Sequence, residues 1–487
     1  MRAPNQFRKL VYGLIIVAIF GAMIPYTKWL NDEKQRKDLG EAAIGQVDTG
    51  SFMLKLALLG GARGVAANVL WTRAIDLQKV QEWDRLKATV DLITKLQPHF
   101  LAVWTFQSWN LAYNVSAEWD APEDKYEWIK QGIKFVEQGV DLNRKSPDLI
   151  WDTASIYYHK IGFADEAIIL RRLFRDDDDE KFKTSPIDGL PRNDNFQLAY
   201  GWFVRSVNLV DSGQNRVATE MENEVNYVDA PVQRKGRPGD LNFRSMPAHA
   251  QTRYAAGLEK QSVLGVPATF GEVARNEWYK TFDEWVKFGS YEYLSHNELD
   301  IEGVLIRQPI KVDDVSRPAE FEKLVDNIPY WTEVTKVPNL TKDDCARLTA
   351  NKKYWTGRWS DQMNYTFWKD RAAAEMEPDG VRARQLFYEG TKAYKSADLA
   401  VAGQKFKEGL AIWEKLLERH PVYRDDDLNK KDTGLILKRY LRVLQNLNEP
   451  IPDNLPFKSL RKAAEQELPP DPFDELEMLP SRSRQPE

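Results

Sequence analysis

The chain has 487 residues and a formal net charge of -5, with a pI near 5.8, so it lacks the broad basic face that neutralising nucleic-acid phosphates requires. Its length suggests about three domains, and 43% hydrophobic residues with 16 tryptophans suffice for a sizeable core. The single cysteine, Cys345, excludes an intrachain disulfide and any multi-cysteine metal site.

From Leu10 to Thr27 the sequence LVYGLIIVAIFGAMIPYT carries no charge, and its length is close to the minimum for a helix crossing a bilayer. Arg2, Arg8 and Lys9 precede it, while Tyr26 and Trp29 suit the lipid interface. The run continues into Pro25 without a small-residue cleavage site, which favours an uncleaved anchor over residues 1–30 against a cleaved signal peptide. A short N-terminal tail before a large domain places that domain on the non-cytoplasmic side, although Lys28, Lys34, Arg36 and Lys37 offset the charge bias. Residues 31–50 are charged and weakly patterned, as a stalk would be. Gly60, Gly61 and Gly64 follow in an apolar run that lacks the Lys-Ser or Lys-Thr of a phosphate loop, and they are read as a helix junction.

Residues 51–175 are read as helical hairpins. Leu70, Ala74 and Leu77 recur at spacings that stack them on one helical face, and so do Leu86, Val90 and Ile93. Val80 to Asp84 leaves room only for a tight reversal, and Pro98 stops the second helix. One such hairpin cannot bury its apolar face alone, so neighbours are expected. A second pair runs from Leu101 to Asn114, with Trp104 and Leu111 inward, and returns from Tyr126 to Val140 after a loop at Ser116 to Asp124. A third sets Trp151, Ala154 and Tyr158 against Ala167, Leu170 and Phe174.

Residues 176–380 form an irregular, mostly helical middle region. The acidic run Asp176 to Glu180 lacks the alternating ligands and central glycine of a calcium loop and is read as solvated. MPAHAQTRYAAGLEK and GEVARNEWYKTFDEWVKFGSYEYL return to helical spacing, and Val304 to Val312 is a short strand. KKYWTGRWSDQMNYTFWKDR reads as aromatic core with exposed Arg358 and Arg371, the alternative being a ligand cage. Residues 381–465 hold a fourth hairpin, with Leu386, Gly390 and Ala393 against Ala402, Phe406 and Gly409, and then one more helix from Asp432 to Leu447. The tail, residues 466–487, is Pro-rich and acidic and is read as disordered.

The hairpins resemble tetratricopeptide (TPR) repeats. Trp151, Tyr158, Gly162 and Ala167 match the family's bulky and small positions in the third pair, Ala402, Phe406 and Gly409 match in the fourth, and Leu70, Leu77 and Pro98 match less fully in the first. The second pair carries an insertion, the third runs into acidic residues instead of a proline, and no steady period of about 34 residues links the pairs. The combination of GGARGVAANVLWTRA, LQPHFLAVWTFQSWNLAYN, YYHKIG and MPAHAQTRYAAGLE with an anchor in front also resembles a family of planctomycete-type bacterial membrane proteins. Some members bear an "iron responsive element" label; that term names an RNA hairpin, and nothing in this sequence has the character of an RNA reader. The fold class expected is therefore mainly α, an N-terminal transmembrane helix followed by TPR-like hairpin repeats with an irregular middle insertion.

No catalytic motif emerges: the five histidines show no HExxH spacing, and neither a GxSxG elbow nor a Walker-type loop occurs. No cofactor, metal or nucleic acid is expected. In TPR-like folds the first helices of successive hairpins line a groove, which by position would hold Trp71, Ile75, Trp109, Tyr113, Asp152, Ile156 and His159. The Lys/Asn carboxylate clamp of TPR chaperone adaptors is not reproduced. Such a groove suits an extended peptide or a partner helix, the alternative being that Trp71 and Trp109 are internal packing. The sequence thus points to a membrane-tethered scaffold that binds a protein or peptide without chemistry of its own. Self-association is a further possibility, and a cell-envelope enzyme or carbohydrate-binding factor using the aromatic middle region is the competing reading.

Overall fold

A computed structural model describes residues 62–212 and 240–462. The expected anchor, stalk and C-terminal tail lie outside the described residues, and among those described no helix is long and apolar enough to cross a membrane. The described chain is mainly helical, with 17 α-helices and two short antiparallel ladders. It divides into two compact units: residues 1–164 with 209–216, and residues 165–208 with 217–487.

Among the described residues the first unit opens with α1 (Ala62–Lys79) and α2 (Trp83–Leu96), and Gln81 takes a positive φ of 58° in the reversal between them. Ala67, Ala74 and Leu77 of α1 meet Leu86, Val90 and Ile93 of α2 in one apolar cluster, which Val103 joins from the following helix. The expected hairpin and its need for a neighbour are thus both present. Next come α3 (Leu101–Trp109) and a π-helical segment, Asn110–Val115. The chain returns through α4 (Pro122–Leu142), which starts four residues before the expected Tyr126 because Pro122 fits the first helical position and Glu123 and Asp124 favour the first turn. Helix α5 (Pro147–Ser155) is capped by Ser146, whose side chain accepts from the Leu149 amide, and it too runs into a π segment, Ile156–Ile161. The two helices of the expected third hairpin fall in different units, since the first unit's boundary comes at Ala164.

The second unit contains α6 (Ala167–Asp176) and α7 (Asn195–Asp211), whose last residues belong to the first unit, then α8 (Asp240–Gly257) and α9 (Gly271–Ser290). The expected strand between Val304 and Val312 is two strands serving two ladders. β1 (Glu292–Leu294) pairs with β4 (Pro309–Lys311), while β2 (Leu299–Ile301) and β3 (Val304–Ile306) form a hairpin. Glu302 and Gly303, both at positive φ, close that hairpin in the sense that matches strand twist.

After α10 (Pro318–Glu322) and α11 (Ile328–Thr335), the long α12 (Lys342–Met363) begins in a Thr341–Asp344 capping box. Helix α13 (Tyr365–Glu375) carries the aromatic stretch into the core: Trp359, Tyr365 and Phe367 are each at most 2% exposed. Arg358 is exposed as expected, whereas Arg371 is half-buried with its guanidinium over the rings of Trp278, Trp368 and Tyr423. The last hairpin, α14 (Pro378–Lys395) with α15 (Leu399–Glu418), crosses where it was expected to. A Cβ at Gly390 would lie 2.8 Å from the Phe406 ring, and one at Gly409 2.9 Å from that of Phe387, so only glycine admits the approach. After the short α16 (Pro421–Asp425), α17 (Asp427–Asn446) packs on α15.

Candidate functional site

In the first unit, α3 and α5 each pass into a π segment, and the two segments touch. A π-helix bonds i to i+5 instead of i to i+4, is uncommon, and recurs at functional sites. Five of the seven groove residues lie on or beside this pair, four of them at least partly exposed. Trp109, 49% exposed, stacks on Tyr113 with ring centroids 5.8 Å apart and planes 19° from parallel. From the neighbouring helix, the Lys160 ammonium lies 5.2 Å from the centre of the Tyr113 ring. Asp152 Oδ2 accepts a 2.6 Å hydrogen bond from Thr105 Oγ1, which ties α5 to α3. Withdrawal from water, opposed by the Thr105 bond and aided by Asp148, pushes the Asp152 pKa up from 3.8 to about 6. Burial and then the Asp152 carboxylate push the Tyr113 phenol up to about 12. His159 is exposed, with its ring edge-on to Tyr158 at 4.8 Å.

Trp71, Ile75 and Ile156 pack inward to different degrees. Trp71 sits against Phe100 and Phe106, at 5.4 and 4.8 Å, on the α1–α2 cluster. Ile75 is half-buried and Ile156 is 4% exposed. Spacing alone could not have supplied Thr105 and Lys160, because their contacts join helices 47 residues apart in the chain. It also passed over an amide chain: Gln78 Nε2 and Asn114 Nδ2 both donate to Asn110 Oδ1, at 2.7 and 2.6 Å. Among the described residues, the buried Asn110 Nδ2 and Gln107 Oε1 make no hydrogen bond, and unmet buried amides of this kind call for an explanation.

In the second unit most of the aromatic middle region packs inward, with Tyr279 and Tyr354 left exposed. Trp285 and Trp368 stack at 6.1 Å and 5°, and Trp355 Nε1 donates to Asn297 Oδ1.

Taken together these features define a class, a mainly helical chain whose first unit sets helical pairs in series and shows an aromatic face, Trp109 on Tyr113, at their π-distorted ends. No family model matches the chain, and no curated protein or solved structure is significantly similar to it.

Proposed function

We propose that this chain is a membrane-tethered, TPR-like scaffold that binds a protein or peptide along α1, α3 and α5 and performs no chemistry of its own. Residues 10–27 would hold it in the bilayer with the large domain on the non-cytoplasmic side. The observation that carries the reading is the half-exposed Trp109 laid flat on Tyr113 beside the Asp152 carboxyl. A large, rigid aromatic surface open to water on an otherwise packed helix is what binding hot spots are made of. The cell-envelope enzyme or carbohydrate reading has less support, since most of the middle aromatics pack into a core.

The full-length chain, purified from its own membranes in mild detergent, tests this. A stoichiometric polypeptide should accompany it, be lost with Trp109→Ala, and survive Trp119→Ala at the other exposed tryptophan among the unit's described residues. Retention by the Trp109 variant, or a bound saccharide in place of a polypeptide, would overturn the proposal.

A further inference from the structure

A cleft of about 590 Å³ opens wholly within the second unit, inside the range of roughly 300–1,000 Å³ typical of small-ligand sites. Its floor is one face of the β1–β4 ladder. Because side chains alternate along a strand, the ladder sends Tyr293 and Ile310, both 0% exposed, into one core and turns Glu292, Leu294, Pro309 and Lys311 to the cleft. The opposite wall comes from α10 and α11, whose Trp331 belongs to a second, separate apolar core. The cleft therefore lies between two apolar clusters of the same unit.

Its charges are mixed and partly committed. Asp314 holds the 7%-exposed Lys352 at 3.3 Å and Arg317 at 2.8 Å, and Lys352 Nζ also donates to the Pro309 carbonyl at 2.9 Å. Glu292 and Lys311 stand opposite each other in the ladder register. Glu333 and Lys336, at the end of α11, also line the cleft, and among the described residues neither has an ion-pair partner. A polyanion entering here would meet Glu292, Glu320 and Glu333, and a polycation would meet Lys311, Arg317 and Lys336. Only a ligand that carries both signs on an apolar body satisfies the walls together.

We propose that this cleft binds a short peptide of mixed charge, with an apolar side chain against Leu294 and Val334, a cationic group on Glu333 and an anionic group on Lys336. The inference is independent of the hairpin groove.

Calorimetric titration of the full-length chain in detergent with acetyl-Lys-Leu-Glu-amide and acetyl-Glu-Leu-Lys-amide, alongside spermine and inorganic pyrophosphate, tests it. At least one peptide should saturate a single site more tightly than either small ion, and Glu333→Gln and Lys336→Gly should each weaken it about tenfold or more. Lys336 takes a φ of 61°, where glycine is at ease, so that variant removes the charge without harming the fold. Trp109→Ala should leave this binding unchanged. Absence of saturable peptide binding, equal or tighter binding of spermine or pyrophosphate, or wild-type affinity in both charge variants would overturn the proposal.

Discussion

Thr105 Oγ1 and Asp152 Oδ2 stand 2.6 Å apart and join two helices through an acid that folding withdraws from water. Its pKa rises from 3.8 to about 6, so the fold favours the protonated form. Stability from this group is fully present below its unfolded pKa and is lost as pH rises through the folded one. Asp152→Asn should therefore stabilise the first unit near neutral pH and do nothing below about pH 4. Hydrogen exchange over residues 83–161, compared at the two pH values, reads this directly; equal gains at both would contradict it.

His249 makes the second unit respond in the opposite sense. Its ring lies edge-on to Trp285 at 4.9 Å and to Trp368 at 5.6 Å, and burial, with Arg253 adding, lowers its pKa from 6.5 to about 4. The fold holds the neutral base, so its contribution is present above the unfolded pKa and is lost as pH falls through the folded one. Acidification from about pH 6.5 toward 4 should loosen this core. His249→Phe should flatten that loss, as followed by the urea midpoint of tryptophan fluorescence against pH.

Gly289 sits at a close helix contact in the second unit. A Cβ there would fall 2.4 Å from Cζ of Tyr365, closer than any real contact. Tyr365 cannot swing away, being 0% exposed and donating its hydroxyl to Asp313 at 2.8 Å. Gly289→Ala should cost about 1–3 kcal/mol or more by overpacking. Adding Tyr365→Leu should recover part of that loss in chemical denaturation, since residues in contact are not additive. A double variant as unstable as the sum of the singles would refute the clash.

Glu375 and Arg384 form a buried ionic knot. Arg384 Nη2 sits 2.5 Å from Glu375 Oε1 and donates to Tyr423 Oη at 2.8 Å, and the Tyr423 hydroxyl itself donates to Glu375 at 2.9 Å. Burial works to raise the Glu375 pKa, but Arg384 and its partners outweigh it and hold the carboxyl below its ordinary value. Arg384→Met strands a charge away from water and should cost about 3–5 kcal/mol. The double variant Arg384→Met with Glu375→Leu should be markedly more stable than that single variant in the same denaturation assay.

The parts of this fold that follow from apolar spacing could be read in the sequence. Leu86, Val90 and Ile93 announce the face they bury, and Gly390 with Gly409 announce a close crossing, because each depends on residues within one helix or one hairpin. The strand expected at Val304 to Val312 could not be divided into two by composition, since the partners of β4 lie before β2 in the chain. The candidate groove was legible only as a set of helix faces. Assuming 3.6 residues per turn throughout put His159 in the groove, whereas Lys160 is the residue over Tyr113, and a π segment has no compositional signature to warn of the change in phase.

That change of phase also ties together the facing surfaces of the two helices. Each residue removed from a helix turns everything beyond it by about 100°. Shortening one π segment alone would swing Tyr113 or Lys160 out of step with its neighbour. Trimming a single segment would therefore force the surface that faces it to re-pack.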